Sequence, residues 1–172
     1  MPITYTSGEQ VEVYRFSIPV TIGVPLAALI LQAFLPRVFS FFTLFDLPLL
    51  VTIFFAMARR KPTAGLLTGA FIGLAQDALG TRHIGMFGIA KTLVGFVASS
   101  LGARIDVENA GARFLLTLAF YLLHSAAYFA VARYLVSLSL TWSWTQGALS
   151  GLANAALGVG VYFLLDRLKQ RT

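Results

Sequence analysis

Residues 45–80 read FDLPLLVTIFFAMARRKPTAGLLTGAFIGLAQDALG. Two apolar runs flank a knot of three cations and a proline, Arg59, Arg60, Lys61 and Pro62. A run of cations belongs at a membrane surface rather than in hydrocarbon. Each run is close to the ~17–20 residues that cross a bilayer as a helix. The stretch therefore predicts a helical hairpin of two membrane spans, about 42–58 and 64–80.

The same pattern extends in both directions. Further apolar stretches lie at about 17–35, 86–103, 113–136 and 146–166. The predicted fold class is all-α: a polytopic membrane protein of six transmembrane helices, forming one integral membrane domain over 1–172. Composition agrees. The chain has 172 residues, of which 58% are hydrophobic and only 12% charged. Soluble domains carry about 45–50% and about 25%, so this chain has too little polar surface for water.

The charges set an orientation. In a six-span layout one side receives Arg15, Arg59, Arg60, Lys61, Arg104, Arg113, Arg167, Lys169 and Arg171. The other receives Arg37, Arg82 and Arg133. By the positive-inside rule both termini lie in the cytoplasm. The net charge of +6 thus follows helix ends rather than a nucleic-acid surface, and no nucleic-acid partner is expected. Trp142 and Trp144 fall just before the sixth span, as interfacial anchors on the outer side. The first apolar stretch has no basic flank before Arg15 and no small-residue cleavage site after it, so it reads as a retained helix. No lipidation motif is present. Residues 3–14 predict a short amphipathic or extended piece at the cytoplasmic face.

Three spans carry small-residue stripes. Gly65, Gly69 and Gly73 form a GxxxGxxxG ladder in the third; Gly88, Gly95, Ser99 and Gly102 share an arc of the fourth; Gly147, Gly151, Asn154 and Gly158 share a face of the sixth. Such stripes let backbones approach, replacing the hydrophobic drive that lipid does not supply. A partner's helix or a neighbour within the bundle could fill the ladder; the complementary small faces favour the neighbour.

Ionisable groups within spans each cost about 2.5–3.5 kcal/mol at a helix centre on insertion scales, so each needs a partner or a wet cavity. Asp46, Asp77 and Lys91 fall at comparable depth in the outer third of the membrane. They predict an ion-paired cluster, with Asp77 and Lys91 in salt-bridge reach and Asp46 near by; the alternative is helix ends dipping into the headgroups, with Lys91 snorkelling. Thr117, Tyr121, His124, Ser125 and Tyr128 make a polar stripe on the fifth span, and Gln76 and Asn154 join the same interior. A lone intramembrane His is a proton relay in some proteins and more often a neutral hydrogen-bonding residue in a packed interior.

The chain has no cysteine and two histidines, His83 and His124. Thiolate catalysis and Cys-ligated metal are excluded, and a His-based metal centre is not expected. HExxH, GxSxG and phosphate-loop motifs are absent, so no catalytic residue, metal or cofactor is assigned.

Residues 45–80, together with IGMFGIAKTLVGFVASSLGARIDVENAGAR (84–113) and FYLLHSAAYFAVAR (120–133), resemble the MreD family of rod-shape-determining membrane proteins. GLAQDALG followed by FGIAKTLVGF is the most specific part. The resemblance covers roughly 42–135 and rests on order and spacing rather than on a catalytic signature. It implies a non-enzymatic scaffold in the bacterial inner membrane, bound to MreC. Its wider partners in the elongation machinery would be the MreB filament, RodA and a class B penicillin-binding protein, so that peptidoglycan synthesis maintains rod shape. It also implies a fold like the substrate-binding subunit of energy-coupling-factor transporters. A vitamin-binding subunit of that kind is the alternative function. Against it, the first span lacks the AxxxA pair many such subunits use for docking, and has Gly23 and Ala27 instead.

Overall fold

The computed structural model describes residues 16–80, 83–104, 109–139 and 141–168. The tail 3–14 and the basic residues Arg15, Arg82, Lys169 and Arg171 lie outside the described residues. The described chain is helical, with six α-helices in the order α1 (Ile18–Val38), α2 (Leu47–Arg59), α3 (Pro62–Leu79), α4 (Met86–Gly102), α5 (Ala110–Ala130) and α6 (Trp144–Asp166). Three of them are long and apolar enough to cross a membrane: α1, α5 with its continuation, and α6. Helices α2 and α4 are shorter apolar helices.

Two local departures from regular α-helix matter. Between α1 and α2 the chain makes a 3-10 turn at Ser40–Leu44 and an extended step at Phe45. The span expected over 42–58 therefore begins as an α-helix only at Leu47. The reason is in the sequence Asp46-Leu47-Pro48: the Asp46 carboxylate accepts the Leu49 N–H as N-cap, and Pro48 occupies the first turn, where a missing N–H costs nothing. At the far end of α5, residues Val131–Leu135 continue as a π-helix, closed by the Val136 N–H on the Val131 carbonyl. Helix α6 starts at Trp144, so that tryptophan is its first residue and Trp142 lies in the preceding loop.

Helix α2 is the centre of the molecule. It contacts α1, α3, α4, α5 and α6. Its residues from Pro48 to Ala56 are all buried, so it has no outward face over that length. Its 13 residues span about 20 Å, short of the ~30 Å of a hydrocarbon core. The deficit lies at the Asp46 end, where the other helices run on past it. By contrast α1 presents Ile18, Ile22, Leu26, Ile30 and Phe34 outward, an apolar surface that water does not tolerate on this scale.

The α2–α3 turn follows the basic knot. Arg60 ends α2 in the left-handed conformation, φ 54°, and Pro62 opens α3. Arg59 reaches back to donate to the Thr21 hydroxyl of α1 at 2.9 Å.

Helices α3 and α4 form the most extensive contact of the fold. The glycine ladder makes it. A methyl group built on Gly65 would strike the Gly95 carbonyl oxygen, one on Gly69 the Lys91 carbonyl oxygen, and one on Gly73 the Phe87 carbonyl oxygen. Gly95 faces Gly65 in return. The ladder's neighbour is thus backbone of the same chain. Gly88 and Gly151 sit differently, against side chains: Leu74 for the first, Leu118 and Tyr121 for the second.

Candidate polar centre and cavity

The break between the 3-10 turn and α2 exposes backbone groups deep in an apolar protein, and each needs a partner. Two amides supply them. Gln32 of α1 donates to the Phe45 carbonyl and accepts the Leu47 N–H, both at 3.0 Å. Asn154 of α6 accepts the Asp46 N–H at 2.8 Å and donates to the Leu44 and Ser150 carbonyls, each at 2.8 Å. Asn154 is wholly buried. The start of α2 is therefore held from both sides of the bundle.

The ionic partners follow from that placement. Lys91 of α4 is fully buried, and its ammonium lies 2.6 Å from Asp46 Oδ2. It also lies 3.3 Å from His124 Nε2 of α5 and 4.9 Å from the centre of the Phe87 ring. An ammonium has only donors, so Nε2 accepts and the neutral imidazole carries its proton on Nδ1. The other carboxylate oxygen of Asp46 is occupied by the N-cap bond. One carboxylate thus caps the start of α2 and neutralises a buried cation together.

Asp77 does not pair with Lys91, contrary to the sequence expectation. Its Oδ2 accepts the N–H groups of Gly85 (2.9 Å) and Gly88 (3.0 Å), and its Oδ1 that of Phe87 (3.1 Å). The first turn of a helix leaves N–H groups without intrahelical partners. The N-cap of α4 is Gly85, at φ 103°, which has no side chain to offer them. Asp77, buried at the end of α3, does so from the neighbouring helix. Of the expected polar residues, Asp46, Lys91, His124 and Asn154 join directly, and Asp77 serves the adjacent helix start. Gln76 lies on the wall beside them and makes no hydrogen bond through its buried Oε1.

Above this centre is a cavity of about 730 Å³. It exists because α2 stops short. Its floor includes Asp46 and His124, and its walls come from the ends of α1, α3 and α5 and the beginnings of α4 and α6. Tyr121, Ser125 and Tyr128 of the predicted polar stripe face it, whereas Thr117 bonds instead to the Arg113 carbonyl and the Tyr162 hydroxyl. Phe87, His124 and Tyr128 stack: ring centres are 5.8 Å apart for Phe87–His124 and 4.8 Å for Phe87–Tyr128. Sequence reasoning missed Gln32 and Phe87, and it read Trp142 as an interfacial anchor rather than as part of the cavity wall. Gln32 alone had a usable signal, a single amide in an otherwise apolar span. Among the described residues no group of three His, Asp or Glu is placed to hold a metal ion.

At the opposite end of the bundle Arg113 pairs with Asp166 at 2.5 Å, tying α5 to α6. No family model, curated protein or solved structure matches this chain.

Proposed function

We propose that this chain is a six-span inner-membrane scaffold of the MreD kind. It docks MreC and through it joins MreB, RodA and a class B penicillin-binding protein in the machinery that elongates rod-shaped cells. Both termini are cytoplasmic, and the 730 Å³ cavity opens on the outer face. The protein acts by binding, without catalysis.

One observation carries this reading. The three strings that resemble the family converge on one point in space: Asp46 from the first, Lys91 from the second and His124 from the third. A resemblance scattered by chance along an apolar sequence has no reason to meet at a buried ion pair. The strings also supply both sides of the α3–α4 seam, the most extensive helix–helix contact among the described residues. A rigid body whose buried charges are neutralised internally suits a scaffold, which must hold a surface in place.

Detergent extraction with tagged protein and co-expressed MreC tests the proposal. The two co-purify at a fixed ratio, and depletion of the chain turns rods into spheres. Absence of MreC from a folded preparation, with unchanged cell shape on depletion, overturns it. The cavity favours a second reading, a substrate-binding subunit of the energy-coupling-factor type with its corresponding fold. That reading requires a vitamin in the purified protein and association with a transporter's energising subunits.

A further inference from the structure

The cavity wall has hydrogen-bonding groups that the protein leaves unused. Gln76 Oε1 is shielded from water and has no hydrogen-bond partner among the described residues. Trp142 Nε1 is likewise shielded and unpartnered. Both side chains line the same cavity. Most buried polar side chains in a folded protein find a partner, and an unmade bond costs free energy. Two such groups bordering one cavity mark a place where something else supplies the partners.

The chemistry of that occupant follows from the wall. The charges at the buried floor are already engaged: the Asp46 carboxylate is matched by Lys91, whose ammonium is fully enclosed, and the Asp77 carboxylate accepts three N–H groups at the start of α4. The Arg37 guanidinium, at the rim, is drawn over the Phe34 ring, 5.8 Å from its centre. The rings of Phe87, His124 and Tyr128 lie within 30° of parallel and all border the space. Parallel rings accept a further flat ring by offset stacking. A free carboxamide matches an edge that carries a donor beside an acceptor, as Gln matches the edge of a nucleobase. The volume lies within the ~300–1,000 Å³ of small-molecule sites.

We propose that the outer cavity binds a small, uncharged, planar molecule with an N–H beside a carbonyl, the edge paired to Gln76, a second acceptor taking the Trp142 N–H, and the ring on the Phe87–His124–Tyr128 shelf. This goes beyond the scaffold role. It is tested on the isolated protein, so its failure leaves MreC binding untouched, and loss of MreC binding leaves it standing.

Theophylline and caffeine are the probes. Both are flat and uncharged at neutral pH, and they differ by one group: caffeine has a methyl where theophylline has the N–H beside a carbonyl. Calorimetric titration of the detergent-purified full chain shows saturable theophylline binding, with caffeine weaker by about tenfold, the upper end of one neutral hydrogen bond. Gln76→Leu abolishes the preference between the two. Trp142→Phe weakens both probes while keeping the preference. Gln76→Asn, which retains the amide on a shorter stem, also loses the preference and guards against a folding defect in the leucine variant. Equal affinity for the two probes, a preference that survives Gln76→Leu in a helical, monodisperse protein, or no saturable binding of theophylline overturns the proposal.

Discussion

The α3–α4 seam and the cavity both draw on α3 and α4, yet they are opposites. Along the seam Gly65, Gly69 and Gly73 bring backbone against backbone, with no room for a methyl group. One turn beyond Gly73 the same α3 carries Gln76 and Asp77, which line, together with residues of α1, α5 and α6, a cavity of about 730 Å³. Side-chain size makes the difference. Where α3 carries glycines the packing is closed by van der Waals contact alone. Where it carries Gln76 and Asp77, polar groups need partners, and among the described residues Asp77 finds them while Gln76 Oε1 does not. Lys91 stands at the junction: its carbonyl is the wall that Gly69 packs against, and its ammonium supports the cavity floor.

The largest expected effect comes from breaking that junction. Lys91→Met strands the Asp46 carboxylate in the interior, and losing one member of a buried pair costs about 3–5 kcal/mol. Thermal melting of the purified protein should show a large loss. Adding Asp46→Asn removes the stranded charge but keeps an oxygen to cap α2, and it restores part of the stability. Adding Asp77→Asn instead does not, because Asp77 serves the N-terminus of α4. Recovery with Asp77→Asn and none with Asp46→Asn would reverse the assignment of the pair.

Gly69→Leu attacks the seam alone. It drives α3 from α4 at the Lys91 backbone, at a cost on the order of 3 kcal/mol. The isolated protein loses stability whether or not MreC is present. A fully stable Gly69→Leu protein that has lost only MreC would make the ladder a partner surface. Gly151→Ala is the contrasting variant. Its neighbours are side chains of Leu118 and Tyr121, which move aside, so the change in melting temperature is small. Smallest of all is Asp166→Asn at the other end of the bundle. Its partner Arg113 is partly accessible to solvent, and the loss is about 1 kcal/mol or less.

Much of this contrast is visible in the sequence. Residues 45–80 give two helices and the turn between them, because apolar length and a basic knot are strong local signals. The glycine ladder announces a close approach through its four-residue spacing. The bounds of α3, α4 and α6 fall within two residues of expectation. What the sequence conceals are relations between elements. Depth along a helix does not decide which carboxylate meets Lys91, since Asp46 and Asp77 lie at similar levels. The deciding fact is that α4 begins on a glycine and needs a cap from outside. Asp46-Leu47-Pro48 does carry a helix-start signal, but hydropathy averaged across 42–58 hides it, and with it the shortness of α2. The cavity is the consequence of that shortness, so it has no signature of its own.

The central claim is a six-span protein with cytoplasmic termini whose cavity opens outward. The chain has no cysteine, so single cysteines report position without background. Gln146, at the exposed start of α6 on the cavity rim, and Lys61, exposed in the basic turn, lie at opposite ends of the bundle. Each is replaced by cysteine and treated with a membrane-impermeant maleimide in right-side-out vesicles. The account predicts labelling of Gln146→Cys at once and of Lys61→Cys only after the membrane is opened. Labelling of Lys61→Cys in sealed vesicles, with Gln146→Cys protected, would place the cavity on the cytoplasmic face and contradict it.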